Sequence, residues 1–292
     1  METKKTTRYR EYINRPEIAV CVGVQDCIGA RLVEQTGFDL AFVHDFGLSA
    51  TFLGQPDMGL ITLTEMTLII EKIIKSVELP VIADGGCGFG NPLNTHRTVE
   101  EFESIGAAGV NIEDQVYPKR CGHLAGKEII STEEMNDKIQ AACDARKDED
   151  FVIVARTDAI AVDGVDEAIL RGNAYARAGA DMIFVEAPET QEDIARIVKS
   201  LEAPCWVNMV EGGKTPLVPV DELQKMGAAL VDYGPLTLLA ASAAIAKVLK
   251  VLKEDGITTR VLDELISFQE MNQLTGLPKY RDMEVRYGRE KS

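Results

Sequence analysis

The amino-acid sequence predicts an α/β fold: a (β/α)8 barrel of TIM type, one domain over residues 1–292, with 258–292 as a C-terminal helical extension. Three observations predict it. The length of 292 residues suits a barrel that uses roughly 250 residues as one domain. Eight short runs rich in Val, Ile, Ala and Phe alternate strictly with amphipathic stretches, the pattern of βα units around a parallel sheet buried on both faces. No low-complexity segment or Pro/Gly/Ser linker interrupts residues 10–255, so no internal boundary is expected. An open doubly wound sheet is the alternative, and eight evenly spaced strands favour closure.

Taken in order, the strands are expected at 18–23 (IAVCVG), 39–43 (DLAFV), 79–84 (LPVIAD), 109–113 (GVNIE), 151–156 (FVIVAR), 181–186 (DMIFVE), 204–208 (PCWVN) and 229–233 (ALVDY). Between them lie the helices. The first, 26–35, is stopped by Gly37. In 64–76, Met66, Ile69, Ile70, Ile73 and Ile74 form one stripe at the 3.6-residue period. A helix over 98–105 ends at Gly106, and one over 132–146 opens on Ser131-Thr132-Glu133-Glu134, a capping pattern. Segments 166–178, 190–201 and 220–226 complete the set. The run GGCGFG at 85–90 follows a strand, but Pro92 intervenes and no helix is expected to open there, so a dinucleotide fingerprint is set aside.

Charge narrows the partners. With 31 Lys+Arg against 47 Asp+Glu the net charge is -16, which repels nucleic acid and anionic membrane. No apolar run approaches the roughly 20 residues that span a bilayer. The opening METKKTTRYR lacks the apolar core of a signal peptide. A cytoplasmic protein acting on a small molecule is expected. The six cysteines show no C-x-x-C pair and read as reduced thiols.

In a barrel of this kind chemistry collects at the C-terminal ends of the strands. Those ends carry His44-Asp45, Asp84, Glu113-Asp114, Arg156, Glu186 and Asn208. One such residue is usually a solvated strand end. Six together, converging on one mouth, point to a site, because like charges packed there are costly without a cation. Asp84 and Glu113, with Asp57 on the loop after the second strand, offer oxygen ligands suited to Mg2+. Arg156 offers a planar fork to a substrate carboxylate. The long loop after the fourth strand holds Lys119-Arg120-Cys121-Gly122-His123; a thiol so flanked is expected to have a lowered pKa. The plain alternative is a basic surface loop with an incidental cysteine.

These residues resemble a known family. The K-R-C-G-H at 119–123 resembles the signature of the isocitrate lyase and phosphoenolpyruvate mutase superfamily. The surroundings agree: G-Q-P-D-M-G at 54–59, G-F-G at 88–90, I-E-D-Q at 112–115, A-R-T-D-A at 155–159, E-A at 186–187 and N-M-V-E-G-G-K-T-P at 208–216. The chain is most similar to its short members, 2-methylisocitrate lyase, 2,3-dimethylmalate lyase and carboxyphosphonoenolpyruvate mutase. The resemblance implies Mg2+ as cofactor, with Mn2+ an alternative, and a homotetramer that swaps its last barrel helix. It makes Asp84 the metal-binding aspartate, Glu113 a metal-shell carboxylate, Asp57 an outer ligand and Cys121 the general acid. Arg156 and Glu186 join Cys121 as catalytic candidates; His44, Asp45, Phe46, Gly122, His123 and Asn208 are the substrate-binding candidates.

The departures from that pattern matter as much. The family carries paired aspartates after the third strand, where this chain has Asp84-Gly85-Gly86. Its Ser-Gly-Gly after the second strand is here His44-Asp45-Phe46, and Ala240 stands where methylisocitrate lyases have an arginine. Asp45 is therefore expected to supply the missing carboxylate, with a loop cap facing solvent as the alternative. The expected activity is Mg2+-dependent retro-aldol cleavage of a small 2-hydroxy dicarboxylate, of the dimethylmalate or methylisocitrate type, to a 2-oxo acid and a carboxylic acid. A phosphonate mutase, a 2-oxo acid hydrolase or decarboxylase, and a non-catalytic binding protein on the same scaffold are the alternatives.

Overall fold

The structure, a computed structural model, describes residues 3–288. The chain divides into two compact units, the first running to Thr237 and the second beginning at Leu238. In the first unit eight parallel strands close a barrel in chain order: β1 (Ala19–Gly23), β2 (Leu40–Val43), β3 (Val81–Asp84), β4 (Gly109–Glu113), β5 (Val152–Thr157), β6 (Met182–Val185), β7 (Cys205–Asn208) and β8 (Leu230–Tyr233). Closure is completed by β8 pairing back onto β1, with Cys21 opposite Asp232.

Strand alternation divides the side chains. Cys21, Leu40, Phe42, Ile82, Val152, Val154, Met182, Phe184, Trp206 and Leu230 pack together inside the barrel. Their neighbours Val22, Ala41, Val43, Ile153, Ile183, Val207 and Val231 join the larger core under the helices. An unforeseen helix, α1 (Lys5–Asn14), sends Tyr9 and Ile13 into the inner cluster, so this end of the barrel is plugged with apolar side chains. The polar residues gather at the other end.

The outer helices are α2 (Cys27–Thr36), the short α3 (Asp45–Leu48), α4 (Leu63–Ile74), α5 (Pro92–Ser104), α6 (Thr132–Ala145), the short α7 (Ile160–Asp163), α8 (Val165–Ala178), α9 (Gln191–Ser200) and α10 (Val220–Met226). One expectation is corrected here. The helix expected at 98–105 begins at Pro92, because proline at the first helical position has no N–H to lose and Asn91 caps the first turn. A helix does open after GGCGFG, and it is the closed barrel that excludes a dinucleotide-binding sheet. Neither α3 nor the π-helical turn Ser49–Leu53 that follows it was foreseen.

From Leu236 the chain is helical again: α11 (Leu236–Asp255), a 3-10 turn Thr259–Glu264, α12 (Phe268–Leu274) and α13 (Leu277–Arg286). The last residues of the expected extension, 289–292, lie outside the described residues. No helix among the described residues is long and apolar enough to cross a membrane.

Candidate active site

The barrel mouth holds two interlocked clusters of buried charge. The first surrounds Lys119. Its Nζ lies 2.5 Å from the Asp45 carboxylate and 2.8 Å from Asp57 Oδ2. Burial disfavours the charge on Lys119, but Asp45, Glu113, Asp57 and Asp84 together raise its pKa well above the ordinary value. Asp84 ends β3; its Oδ1 accepts from the Gly86 N–H at 2.9 Å and its Oδ2 from the Asp45 N–H at 3.2 Å. Burial and the neighbouring Asp45 push the Asp84 carboxyl up to about 7 and Asp57 up to about 6. Burial would raise Asp45 as well, and Lys119 holds it below the usual range.

The second cluster is centred on Arg156. Its Nε lies 2.9 Å from Asp158 Oδ2 and 3.4 Å from Glu113 Oε2, and its Nη2 lies 3.7 Å from Glu186 Oε1. Lys127 Nζ meets the other oxygen of Asp158 at 2.7 Å and also donates to the Gly122 carbonyl. Burial works against the Asp158 charge, yet Arg156 and Lys127 hold that carboxyl far below the carboxylate range. Glu113 has no comparable relief: burial lifts it well above its ordinary value despite Lys119 and Arg156. Glu186 is lowered, Arg156 and His123 outweighing its burial. His123 Nε2 stands 3.1 Å from Glu186 Oε1 without hydrogen-bond geometry, and its Nδ1 accepts from the Lys214 N–H. Asn208 Nδ2 points to Glu186 Oε2 at 3.4 Å.

The loop carrying Cys121 closes over these groups. Gly122 is a packing requirement: a Cβ there would lie 2.3 Å from Arg156 Nη2 and 2.4 Å from Glu186 Oε1. The expectation of an acidified thiol is corrected. Burial pushes Cys121 up to about 11. The lysine expected to lower it is occupied by Asp45 and Asp57, Arg120 is exposed, and His123 turns to Glu186. A thiol that keeps its proton is unsuited to nucleophilic attack and suited to giving that proton away.

The trio after β2 is also resolved. His44 is the cap of α3, its Nδ1 accepting from the Gly47 N–H at 3.0 Å, and its ring stacks on Phe46. Asp45 is 6% exposed, so it is no solvent-facing cap. A Cβ on Gly86 would lie 3.9 Å from Asp45 Oδ2. The Asp45 carboxylate therefore reaches the space beside the position where the family's second aspartate would begin.

The donor set fits Mg2+. Its oxygens are hard carboxylates, Asp57 Oδ1 is buried without a partner, and a divalent charge would relieve the repulsion that lifts Asp84 and Asp57. Among the described residues no three such side chains form a ready-made cage, and an ion that takes one or two carboxylates and keeps its waters needs none.

Two participants were not read from the sequence as site residues. Asp158 was legible, since it lies two residues beyond Arg156 on the strand line and so shares its side. Lys127 sits in a loop, where no periodicity announces a buried ammonium.

Residues 10–253 match the family profile described as phosphoenolpyruvate phosphomutase. The chain belongs to the phosphoenolpyruvate mutase family. It is 44% identical over 280 residues to 2,3-dimethylmalate lyase of Eubacterium barkeri, covering 96% of this chain and 97% of that one. Among solved structures it is similar to oxaloacetate acetylhydrolase bound to 3,3-difluorooxalacetate (TM-score 0.93, 33% identity, 99% of each chain). It is also similar to phosphonopyruvate hydrolase bound to oxalate and Mg++ (TM-score 0.88, 32% identity, 98% of this chain and 99% of that one). This family member is an enzyme, and its relatives named as lyases support carbon–carbon lyase chemistry.

Proposed function

We propose that the protein is a Mg2+-dependent carbon–carbon lyase that cleaves a small 2-hydroxy dicarboxylate, of the 2,3-dimethylmalate or 2-methylisocitrate type, to a 2-oxo acid and a carboxylic acid. The observation that carries this reading is the half-buried Cys121 thiol, its pKa raised, on the loop whose next residue packs against Arg156 and Glu186. Asp84, with Glu113 and Asp57 near it, would hold the ion, which when bound would polarise the hydroxyl and carboxylate of the half that leaves as the 2-oxo acid.

The chain's own groups do the rest. Arg156 and Asn208 bind and orient the substrate carboxylates, Arg156 being fixed in place by Asp158. The hydroxyl proton leaves to a carboxylate of the mouth acting as general base. As the bond between C2 and C3 breaks, its electron pair becomes the enolate of the departing carboxylic acid. The Cys121 Sγ proton is delivered to that carbon. Asp45, kept ionised by Lys119, would supply near the ion the negative charge that Gly86 lacks. Cytoplasmic location and a homotetramer belong to the same proposal; the exposed Leu239, Ile245, Leu249 and Leu252 on α11 support association.

The similarity to two hydrolases favours a second reading, hydrolytic cleavage of a 2-oxo acid in the same mouth. One experiment separates the two: products from a panel of 2-hydroxy diacids and 2-oxo diacids, incubated with Mg2+, identified by mass spectrometry. Cleavage of a hydroxy diacid, lowered about 10² to 10⁴-fold in Cys121→Ser, supports the lyase. Cleavage of the oxo acids alone overturns it.

A further inference from the structure

Most of the loop that carries Cys121 is exposed. Gln115 and Ile129 form an antiparallel bridge at its base, and between them only Lys119, Gly122 and Lys127 are buried. Yet the peptides on either side of Cys121 are each gripped by a side chain. Gln115, 1% exposed, reaches across the loop: its Nε2 donates to the Arg120 carbonyl at 2.8 Å and its Oε1 accepts from the Arg120 N–H at 3.1 Å. Two residues exchange such a reciprocal pair across an antiparallel ladder; here a side-chain amide makes it. On the far side, Lys127 donates to the Gly122 carbonyl. Cys121 itself donates its N–H to the Asp57 carbonyl at 3.3 Å, and its own carbonyl accepts from the Leu124 N–H at 2.9 Å.

Both grips lead back to Arg156. Gln115 lies two residues beyond Glu113 and faces the same side of the chain, and its Nε2 also donates to Glu113 Oε1 at 3.2 Å. The other oxygen of Glu113 lies 3.4 Å from Arg156 Nε. Lys127 meets Asp158, which holds Arg156 at 2.9 Å. One tether therefore runs from Arg156 through Glu113 and Gln115 to the peptide before the thiol. The other runs through Asp158 and Lys127 to the peptide after it. In the proposed reaction Arg156 orients a substrate carboxylate, so the tethers set the proton donor relative to the group that orients its acceptor. Of the two, Gln115 is the neutral one, and both its polar atoms are spent on this connection. The Arg120 peptide that it grips belongs to an exposed residue, which water can reach once the amide is gone.

We propose that Gln115 is a positioning residue for the proton transfer: it fixes the peptide before Cys121 and ties it to Glu113, so that the thiol stands at a set place relative to a substrate held by Arg156. This deepens the lyase reading and rests on it for the role of the thiol. The step it serves breaks the Cys121 S–H bond and forms a C–H bond on the enolate carbon, and the thiolate then takes a proton from solvent. The test is a double-mutant cycle of Gln115→Leu, Cys121→Ser and both together, on a hydroxy diacid that the native enzyme cleaves. Alone, Gln115→Leu should lower kcat/KM on the order of 10²-fold, the effect of displacing a reacting group by about 1 Å. With serine at 121 there is no thiol to place, so the same change should cost less than about threefold. Gln115→Met keeps the length of the side chain without its amide and carries the test if the leucine variant does not fold. The same factor in both backgrounds shows a role independent of Cys121 and overturns the proposal, as does native activity in the Gln115 variants. A second readout needs no substrate. Iodoacetamide at about pH 8 should modify Cys121 about tenfold faster in Gln115→Leu than in the native enzyme, because opening the loop no longer breaks the Gln115 hydrogen bonds. If the native enzyme cleaves no hydroxy diacid, the lyase reading fails, and this rate judges the positioning by itself: a tenfold gain supports it and an unchanged rate overturns it.

Discussion

Gly122→Ala is the smallest change that should disable the mouth. The added Cβ would stand 2.3 Å from Arg156 Nη2, 2.4 Å from Glu186 Oε1 and 2.7 Å from Glu186 Cγ. Ordinary contact begins near 3.4 Å, so each gap is about 1 Å short. Neither neighbour yields easily. Arg156 is held by two hydrogen bonds to Asp158, at 2.9 and 3.2 Å, and Glu186 is buried between Arg156 and His123. The loop must rise instead, and Cys121 rises with it. A misplacement of about 1 Å costs a reaction on the order of 10²-fold, about 2.7 kcal/mol of transition-state stabilisation. Steady-state kinetics on the cleaved substrate should show kcat/KM down by that factor, while far-UV circular dichroism keeps the barrel signature. Activity within threefold of the native enzyme would refute the packing account of Gly122.

Further outcomes follow from the two charge clusters. Asp45→Asn leaves Lys119 under-compensated beside the proposed ion, so calorimetry should find Mg2+ affinity lowered at least tenfold, about 1.4 kcal/mol; unchanged affinity would reduce Asp45 to a partner of Lys119. Lys127→Met strips a fully buried carboxylate of one of its two cations, and urea unfolding should show a loss of about 3 kcal/mol, at the lower end for a broken buried pair because Arg156 remains. Alkylation by iodoacetamide, followed by peptide mass mapping, should show Cys121 reacting slowly at pH 8 and gaining rate up to about pH 11. Its folded pKa is raised, so the reactive thiolate is scarce below that value; a midpoint at or below 8.5 contradicts the burial that keeps it protonated.

The sequence by itself determined the barrel and the end of it at which polar side chains gather, because both follow from periodicity. Apolar five-residue runs announce strands buried on both faces, and a polar residue closing each run announces the mouth. The boundaries of β4 and α10 agree with that reading residue for residue, and the K-R-C-G-H loop identified the family. Local sequence also hid things. The start of α5 at Pro92 was masked by a residue that breaks helices in their interior yet suits their first turn.

What only tertiary structure decided is which charge meets which. In the chain, Cys121 is flanked by Lys119, Arg120 and His123. In the fold Lys119 is drawn to Asp45 and Asp57, from segments more than sixty residues away, and His123 turns to Glu186. Burial then outweighs the His123 backbone N–H and the Lys119 charge that still act to lower the thiol, and its pKa moves up to about 11. The reason is that electrostatic effects depend on separation in space and on exclusion of water. Adjacency along the chain fixes neither, so the lowered thiol pKa expected from the sequence becomes a raised one in the fold.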